Sequence, residues 1–562
     1  MKILTPAELT SVFEERAENL NQDELDRWTS ETSRDRKLLQ KLKGSGAKLL
    51  SGPRGSGKST LLRKAYFSLL SEGNVLAAYV NFSRSLALEP LFLKNANAPQ
   101  LFQQWVVYKI IVGVAEGQAN ITKIPSTLKA LGTVGKQYIR SLETGKTDLP
   151  EQLLAPSELL FLLEEWQQQL GKDRCVLLLD DAAHAFSSEQ QRDFFEIFRS
   201  LRSRYVAAKA AVYPGITSYS PFFHVGHEAE LLEAWYSPGD TEYLATMRSI
   251  AKNRLPPDLY RLLSDRTEIV DYLALASFGL PRGFINMLSF VLGVDDGDEV
   301  TRPTRTLAVT AVGSHADSVL GIFKSLKGKL PRYKKFVEVG LELEQEIGRS
   351  LRTYNKSKPA GKTKASVVGI AEPISNELER ILEMAEYAGL LRKEGSVSRG
   401  EKGVFARYTL HYALILTENS LSLGKSFPLT DAIVSLADTT SHAFVRSQES
   451  SLLGPELKKK CVLDLAPCTK CGAPRPSQEA RFCMRCGTEL KTTSIYEELV
   501  KASITKLPLT PNKLQSLRSH TSIRTVQDIL LDEDFVEIRK AKYIGPVWTA
   551  RIRNAALEYV SV

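Results

Sequence analysis

Two sets of residues in this 562-residue chain have the types and spacing to do chemistry. The first is Gly52-Pro53-Arg54-Gly55-Ser56-Gly57-Lys58-Ser59, followed by Thr60, which meets G-x-x-x-x-G-K-[ST] at each fixed position. Glycines let such a loop curl until successive N–H groups point inward at phosphate oxygens. A helix starting at the loop adds the partial positive charge of its N-terminus. Lys58 then reaches the β- and γ-phosphates of a nucleotide, and the Ser59 hydroxyl takes one position around Mg²⁺. The flanks agree, with AKLLS as a strand before the loop and TLLRKAYFSLL as a helix after it. About 120 residues later, Val176-Leu177-Leu178-Leu179-Asp180-Asp181 is an apolar strand ending in two carboxylates, the Walker B arrangement. Asp180 is expected in the Mg²⁺ shell, and Asp181 is expected to orient or deprotonate an attacking water. Together these residues imply binding and hydrolysis of ATP.

The second set is Cys468-x2-Cys471 and Cys483-x2-Cys486, two pairs separated by eleven residues and each followed by glycine, Gly472 and Gly487. Thiolates two residues apart on a tight turn face one ion, and two such turns complete a tetrahedral sulfur shell that suits Zn²⁺. Four protein ligands leave no open position, so the expected zinc is structural. The competing reading, a redox CxxC pair, lacks the surrounding βαβ pattern. A ribbon of about twenty residues buries too little surface to fold without its metal. Cys175 and Cys461 stand apart, and Cys175 opens an apolar run where a buried, inert thiol is expected.

Elements must hold these groups in place. The composition, 43% hydrophobic and 25% charged, is that of a globular protein and excludes a fibrous or wholly disordered chain. At about 100–200 residues per domain the length predicts three to five domains. From Ala47 short apolar runs (AKLLS, VLAAYVNF, CVLLLDD, VAAKAAVYPG) alternate with helical stretches, which predicts an α/β fold with a parallel sheet covered by helices. The apolar run from Trp105 to Ala115 is interrupted by Lys109 and reads as a buried helix; no membrane span and no secretory leader are expected, and the cytoplasm is the expected location. The net charge of +9 permits an acidic partner such as DNA without requiring one.

The order of the two phosphate-site elements, with SGPRGSGKSTLLRKAYFSLL and YVNF, resembles the AAA+ and STAND branches of P-loop ATPases, and within AAA+ the initiator (origin-recognition-like) members. The resemblance covers about residues 20–295. It implies a sensor-1 polar group after the next core strand, for which AAKAAVYPGITSY offers Tyr213 and Thr217. It implies a sensor-2 helix opened by SFGLPRGFINML, in which Arg282 reports on the γ-phosphate; a surface arginine after a loop proline fits those residues too. An arginine finger from a neighbouring subunit is implied as well, with Arg199, Arg202 and Arg204 in FRSLRSRY as equal candidates, and with it a homo-oligomer. Many hydrolysing members carry Glu where this chain has Asp181, one methylene shorter, so turnover is expected to be slow or partner-dependent.

Seven units are expected in this reading. They are an N-terminal helical segment (1–45), the ATPase core with a helical insertion near 91–150 (46–238), a helical lid (239–295), a basic helical segment and linker (296–372), a winged-helix-like unit (373–457), the zinc ribbon (458–494) and a C-terminal helical unit (495–562). In the fifth unit a helix with Ile374, Leu378, Ile381, Leu382, Ala385 and Ala388 on one face precedes a strand at LLRK, a turn-rich EGSVSRGEKG loop and a strand at 404–410. It reads either as the end of a winged helix or as an α+β lid without nucleic-acid contact. The last unit contains Tyr543-Ile544-Gly545-Pro546-Val547-Trp548, which resembles a helix-hairpin-helix and also the helical C-terminal domain of the RNA polymerase α subunit. Lys540, Lys542, Arg551 and Arg553 would flank the hairpin glycine Gly545 and face DNA phosphates without reading bases. A small helical interaction domain is the alternative. The expected function is thus an ATP switch that engages DNA through its C-terminal modules, or a STAND-like signalling ATPase in which the ribbon and last helices bind protein.

Overall fold

The computed structural model describes residues 12–14, 16–82, 97–118, 123–143, 146, 148–182, 188–294, 300–358, 364–424, 426–437, 444–465, 467–475, 480, 482–490, 495–532 and 534–560. Parts of the expected 91–150 insertion, of the 355–366 linker and of the first 45 residues lie outside this set.

Two short helices, α1 (Gln22–Trp28) and α2 (Ser33–Lys43), lead into the core, each opened by a capping box in which Asn21 or Thr32 exchanges hydrogen bonds with the residue three further on. The core sheet is built from β1 (Lys48–Ser51), β2 (Val75–Asn81), β3 (Arg174–Asp180), β4 (Val206–Val212) and β5 (Glu230–Glu233), in the spatial order β2-β3-β4-β1-β5. All neighbours run parallel, and helices cover both faces. The central strands explain why: VLLLD and VAAKAAV are apolar at consecutive positions and buried on both faces, as a doubly covered parallel sheet demands. The short edge strand β5 alternates exposed Glu230 and Glu233 with buried Leu232, which blunts the edge. This is a P-loop NTPase core, the α/β class expected. β4 sits between the strand that feeds the phosphate loop and the strand that ends in Asp180, so the two chemical elements face one cleft at the carboxyl ends of the sheet.

After the loop comes α3 (Lys58–Glu72). The insertion forms α4 (Ala98–Gly117) and α5 (Ser126–Glu143), and α4 is buried on nearly every side, from Leu101 to Val114. It lies almost in the sheet: a Cβ at Gly117 would stand 2.4 Å from the Ala77 carbonyl oxygen, a separation only glycine allows. Beyond β5 the chain is helical, with α6 (Tyr243–Arg254), α7 (Thr267–Ala276) and α8 (Pro281–Val291) packed on one another where the lid is expected.

Two long helices follow, α9 (Arg305–Lys329) and α10 (Lys334–Lys356), joined by the tight turn Pro331–Tyr333. By length and hydropathy α9 is apolar enough to cross a membrane, which the sequence reading did not credit to any segment. It packs along one face against α8, α10 and later helices, burying Ala308, Val312, Ala316, Val319 and Phe323, and a third of its apolar window is buried.

A second sheet holds β6 (Val367–Ala371), β7 (Leu391–Ser398), β8 (Val404–Leu410) and β9 (Val445–Ser447), ordered β7-β8-β6-β9. The helix α11 (Asn376–Tyr387) packs against β7. Three features differ from the sequence reading. β6 lies before residue 373, in the stretch read as linker. β7 continues through Glu394-Gly395-Ser396 because an irregularity between Lys393 and Ser396 absorbs the glycine, so the turn shrinks to 399–403. β8 is buried on both faces, Phe405 and Thr409 as well as Ala406 and Tyr408, because it is an inner strand.

The C-terminal unit has its own core around Leu499, Ile504, Leu517, Val526, Ile538, Ile552 and Ala556. Its last helix is α12 (Pro546–Val560). Ahead of the 543–546 hairpin stands only the single turn Ile538–Lys540, not the full helix of the expected motif, because Asp532 ties down the Glu537 and Ile538 N–H groups.

Candidate nucleotide site and metal centre

The chain leaves β1 and turns through Gly57, whose φ of 94° places it in the left-handed region at the N-cap of α3. Lys58 follows, buried, with its Nζ donating to the Gly52 carbonyl at 2.7 Å and the Pro53 carbonyl at 3.1 Å. The same ammonium lies 3.6 Å from the centre of the Tyr213 ring. Burial drives its pKa down to about 7, while Asp181 and Asp180 favour the charge and Arg54 and Arg282 oppose it. A cation held this way gains from an anion placed in the loop. Ser56 Oγ is buried inside the curl without a hydrogen-bond partner, and a Cβ at Gly52 would stand 2.6 Å from it. The cradle is therefore closed by backbone and has a donor to spare, which fits phosphate. Thr60 and Ser59 continue the lining.

Across the cleft Asp180 ends β3, 1% exposed. The β2–β3 register pairs Tyr79 with Leu178, two residues before Asp180 and so on the same face of the sheet. The Tyr79 hydroxyl accordingly donates to Asp180 Oδ2 at 2.7 Å, and the Asp181 N–H donates to Oδ1 at 3.0 Å. Burial and the neighbouring Asp181 charge raise the Asp180 carboxyl to about 7, against hydrogen bonds from Tyr79 and Ser59 that favour its ionised form. Ser59 at the start of α3 and Asp180 at the end of β3 thus offer an oxygen-only pair of the kind Mg²⁺ prefers. Tyr213, just past β4, donates from its hydroxyl to Asp181 Oδ1 at 3.0 Å. Thr217, the other sensor-1 candidate, is occupied with the backbone of Tyr213.

Arg282 opens α8 against the loop, since a Cβ at Gly55 would stand 3.1 Å from its Cβ. Its guanidinium is paired with Glu558 of α12. Residues 54–60 of the loop, Asp181, Tyr213 and Arg282 line a cavity of about 800 Å³, and Trp28, Ile250 and Ile285 add apolar surface to the same lining. Arg199 and Arg202 pair with Glu196 and Glu228, Arg204 lies over Tyr205, and none of the three lines the cavity.

Sequence reasoning missed Tyr79, Trp28 and Glu558. Tyr79 left a weak signal, a lone hydroxyl in an otherwise apolar strand. Trp28 and Glu558 left none, because each joins the cavity lining only through tertiary packing.

In the ribbon, the four Sγ atoms of Cys468, Cys471, Cys483 and Cys486 lie within 4.8 Å of one another. The Cys468–Cys486 and Cys471–Cys483 sulfurs are 3.6 and 3.5 Å apart. A tetrahedron of sulfurs about 2.3 Å from zinc has edges of about 3.8 Å, so the donor set fits the ion. Thr488 draws the Cys486 thiol down to about 6, toward the thiolate a metal needs.

At the C-terminal hairpin, Tyr543 has φ of 62° and is exposed, the left-handed conformation that explains why glycine is usual there in the motif it resembles. Of the four flanking cations, Lys540 pairs with Glu537, and Arg553 donates to the Asp532 carbonyl and lines the nucleotide cavity.

No family model matches the chain, and no curated protein sequence matches it. Solved structures do resemble it. A Walker-type ATPase of Pyrococcus abyssi, paby2304, is 15% identical, with 73% of this chain and 100% of that one covered at a TM-score of 0.41. The Aeropyrum pernix ORC1 protein, in complex with DNA, is 16% identical over 71% of this chain and 94% of that one, at a TM-score of 0.28. Domain III of the Thermotoga maritima replication initiation protein DnaA is 13% identical over 52% and 96%, also at 0.28. Likenesses this distant are general, and the P-loop core is identified by its own sheet, loop and acidic strand end.

Proposed function

We propose that the chain is an ATP-binding and ATP-hydrolysing switch of the AAA+ kind that engages DNA through its C-terminal modules. The observation that carries the ATPase half is the buried Lys58 held inside the loop, with Ser59 and Asp181 lining the same cavity and Asp180 next to Asp181 at the end of β3. Gly52 to Thr60 would hold the phosphates, with Lys58 leaving its two carbonyl partners for the β- and γ-oxygens. Ser59 and Asp180 would hold Mg²⁺, which when bound supplies charge neutralisation across those oxygens. Asp181, fixed by Tyr213, would orient a water and accept its proton, and Arg282 would read the γ-phosphate. The ribbon cysteines would hold a structural zinc.

The DNA half rests on the net charge of +9 and on exposed cations at the β7–β8 turn and the 543–546 hairpin, Lys402 and Lys542 among them. Such contacts go to phosphates, so binding should weaken steeply with salt. Assembly as a homo-oligomer, with one of Arg199, Arg202 and Arg204 reaching a neighbour's site, belongs to the same proposal.

The test is ATP hydrolysis by the parent and by Lys58→Ala, with and without duplex DNA, beside DNA retention at 50 and 200 mM salt as chosen conditions. DNA-independent activity with no retention at low salt removes the DNA half. A second reading, a signalling switch whose ribbon binds protein, is favoured by Phe482 and Met484, which stand 60% and 88% exposed on the ribbon. Retention of a protein partner that is lost on Met484→Glu, without DNA binding, would establish it.

A further inference from the structure

The C-terminal helix reaches into the nucleotide cavity. Glu558, 276 residues from Arg282 in sequence, forms an ion pair with its guanidinium. The Glu558 carbonyl accepts from Lys329 Nζ at 2.8 Å and from Arg54 at 3.4 Å. Arg54 belongs to the phosphate loop, Arg282 opens the lid helix packed on Gly55, and Lys329 ends α9. Together with Arg16 they surround one carboxyl and hold it at about 2, although burial alone would raise it. Arg553, Asn554 and Leu557 of the same helix also face the cavity, so its wall is partly C-terminal domain.

Three guanidiniums, Arg16, Arg54 and Arg282, gather at the end of the phosphate loop as an anion site, beside Lys329, whose ammonium is pushed well below its ordinary pKa range by burial and by Arg54. A single carboxylate occupies it with one negative charge, whereas the tail of a nucleoside triphosphate brings several. Arg282 cannot keep its pairing with Glu558 and turn to a γ-phosphate. A phosphate drawn to Arg54 would also stand against the Glu558 carboxylate, charge against like charge. The same domain also packs on α9, where Leu499 lies beside Gly328.

We propose that Glu558 is a built-in competitor for the cations that read the nucleotide tail. The C-terminal domain (residues 495–560) is docked on the site through Glu558, and a bound triphosphate releases it. This rests on the reading of residues 52–60 as a triphosphate site. It also gives a physical route from nucleotide to the hairpin that would meet DNA or protein. Docked, α12 is pinned by its last turn; released, the whole domain is free to turn toward a partner.

Two measurements test it on the full chain. The first is equilibrium binding of ATP with Mg²⁺ to the parent and to Glu558→Gln, each with and without Lys58→Ala. Glu558→Gln keeps the size of the side chain and removes its charge, and the expected result is affinity higher by about tenfold or more. The second needs no variant: hydrogen exchange of residues 546–560 should quicken when a non-hydrolysable ATP analogue is added. ATP binding that Lys58→Ala abolishes but Glu558→Gln leaves unchanged or weakens, or exchange at 546–560 that slows with nucleotide, overturns the competitor and leaves the triphosphate site standing. No ATP binding by any variant overturns the site and the competitor together.

Discussion

The Tyr213 hydroxyl donates to Asp181 Oδ1 across 3.0 Å, tying the segment after β4 to the end of β3. Asp181 has φ of 54°, a conformation non-glycine residues adopt at some cost, and the Tyr213 bond helps hold it there. The Tyr213 ring also packs against the Lys58 ammonium, so one side chain touches both Lys58 and Asp181.

Tyr213→Phe keeps the ring and removes the hydrogen bond. Its expected effect is a fall in kcat of roughly tenfold with ATP affinity little changed, since a hydrogen bond to a charged group is worth about 1.5–3 kcal/mol and here serves orientation. Steady-state kinetics beside equilibrium binding separates the two. A variant that loses affinity and keeps kcat would assign Tyr213 to binding alone.

Asp180→Asn should abolish Mg²⁺-dependent hydrolysis, by on the order of a thousandfold, while sparing metal-free nucleotide binding through the loop. Titrating Mg²⁺ against hydrolysis and binding checks this. Unchanged Mg²⁺ dependence would move the metal away from β3.

Two histidines make the stability pH-dependent at the junction of lid and second sheet. His315 on α9 and His411 after β8 have ring centres 5.2 Å apart. Burial pushes His315 down to about 4 and His411 well below its ordinary range, the latter further opposed by His315. His411 Nδ1 also accepts from the Ala413 N–H, which requires the neutral ring. Both groups therefore bind protons more readily in the unfolded chain. Their contribution is present above the ordinary histidine pKa of about 6.5 and is lost as pH falls toward 4, at up to about 1.4 kcal/mol per pH unit per group. Urea unfolding at pH 7 and pH 5 should show a drop that His315→Leu reduces. Equal drops in both would assign the loss to other groups.

Removing the ribbon's metal should unfold residues 467–490 and leave the ATPase core intact. A strong chelator should release one zinc per chain, Cys483→Ser should bind it far more weakly, and ATP binding should survive both. Two zinc ions per chain, or loss of ATP binding on chelation, would contradict the assignment.

The parts of this molecule that could be read from the sequence are those where function sits on consecutive residues. Gly52 to Thr60 and Val176 to Asp181 each carry their own strand and turn, and the four cysteines carry their own spacing. Arg282 was readable because a proline and an arginine start its helix. Glu558 was not, because helix α12 meets the loop only after the entire chain has folded back. The strand at 391–398 was misjudged at Gly395, where an irregularity tolerates a residue that ordinarily ends a strand. The hairpin at 543–546 was read with a full helix before it, but Asp532 captures those N–H groups and leaves one turn.

The most direct measurement is equilibrium binding of ATP with Mg²⁺ to the parent chain and to Lys58→Ala, with the fold of each checked by circular dichroism. The account predicts saturable binding by the parent and a loss of about a hundredfold or more in the variant, because Lys58 is the buried cation that the phosphates would neutralise. Equal affinity in two folded proteins would show that the nucleotide, if bound at all, lies elsewhere, and the switch described here would have no site.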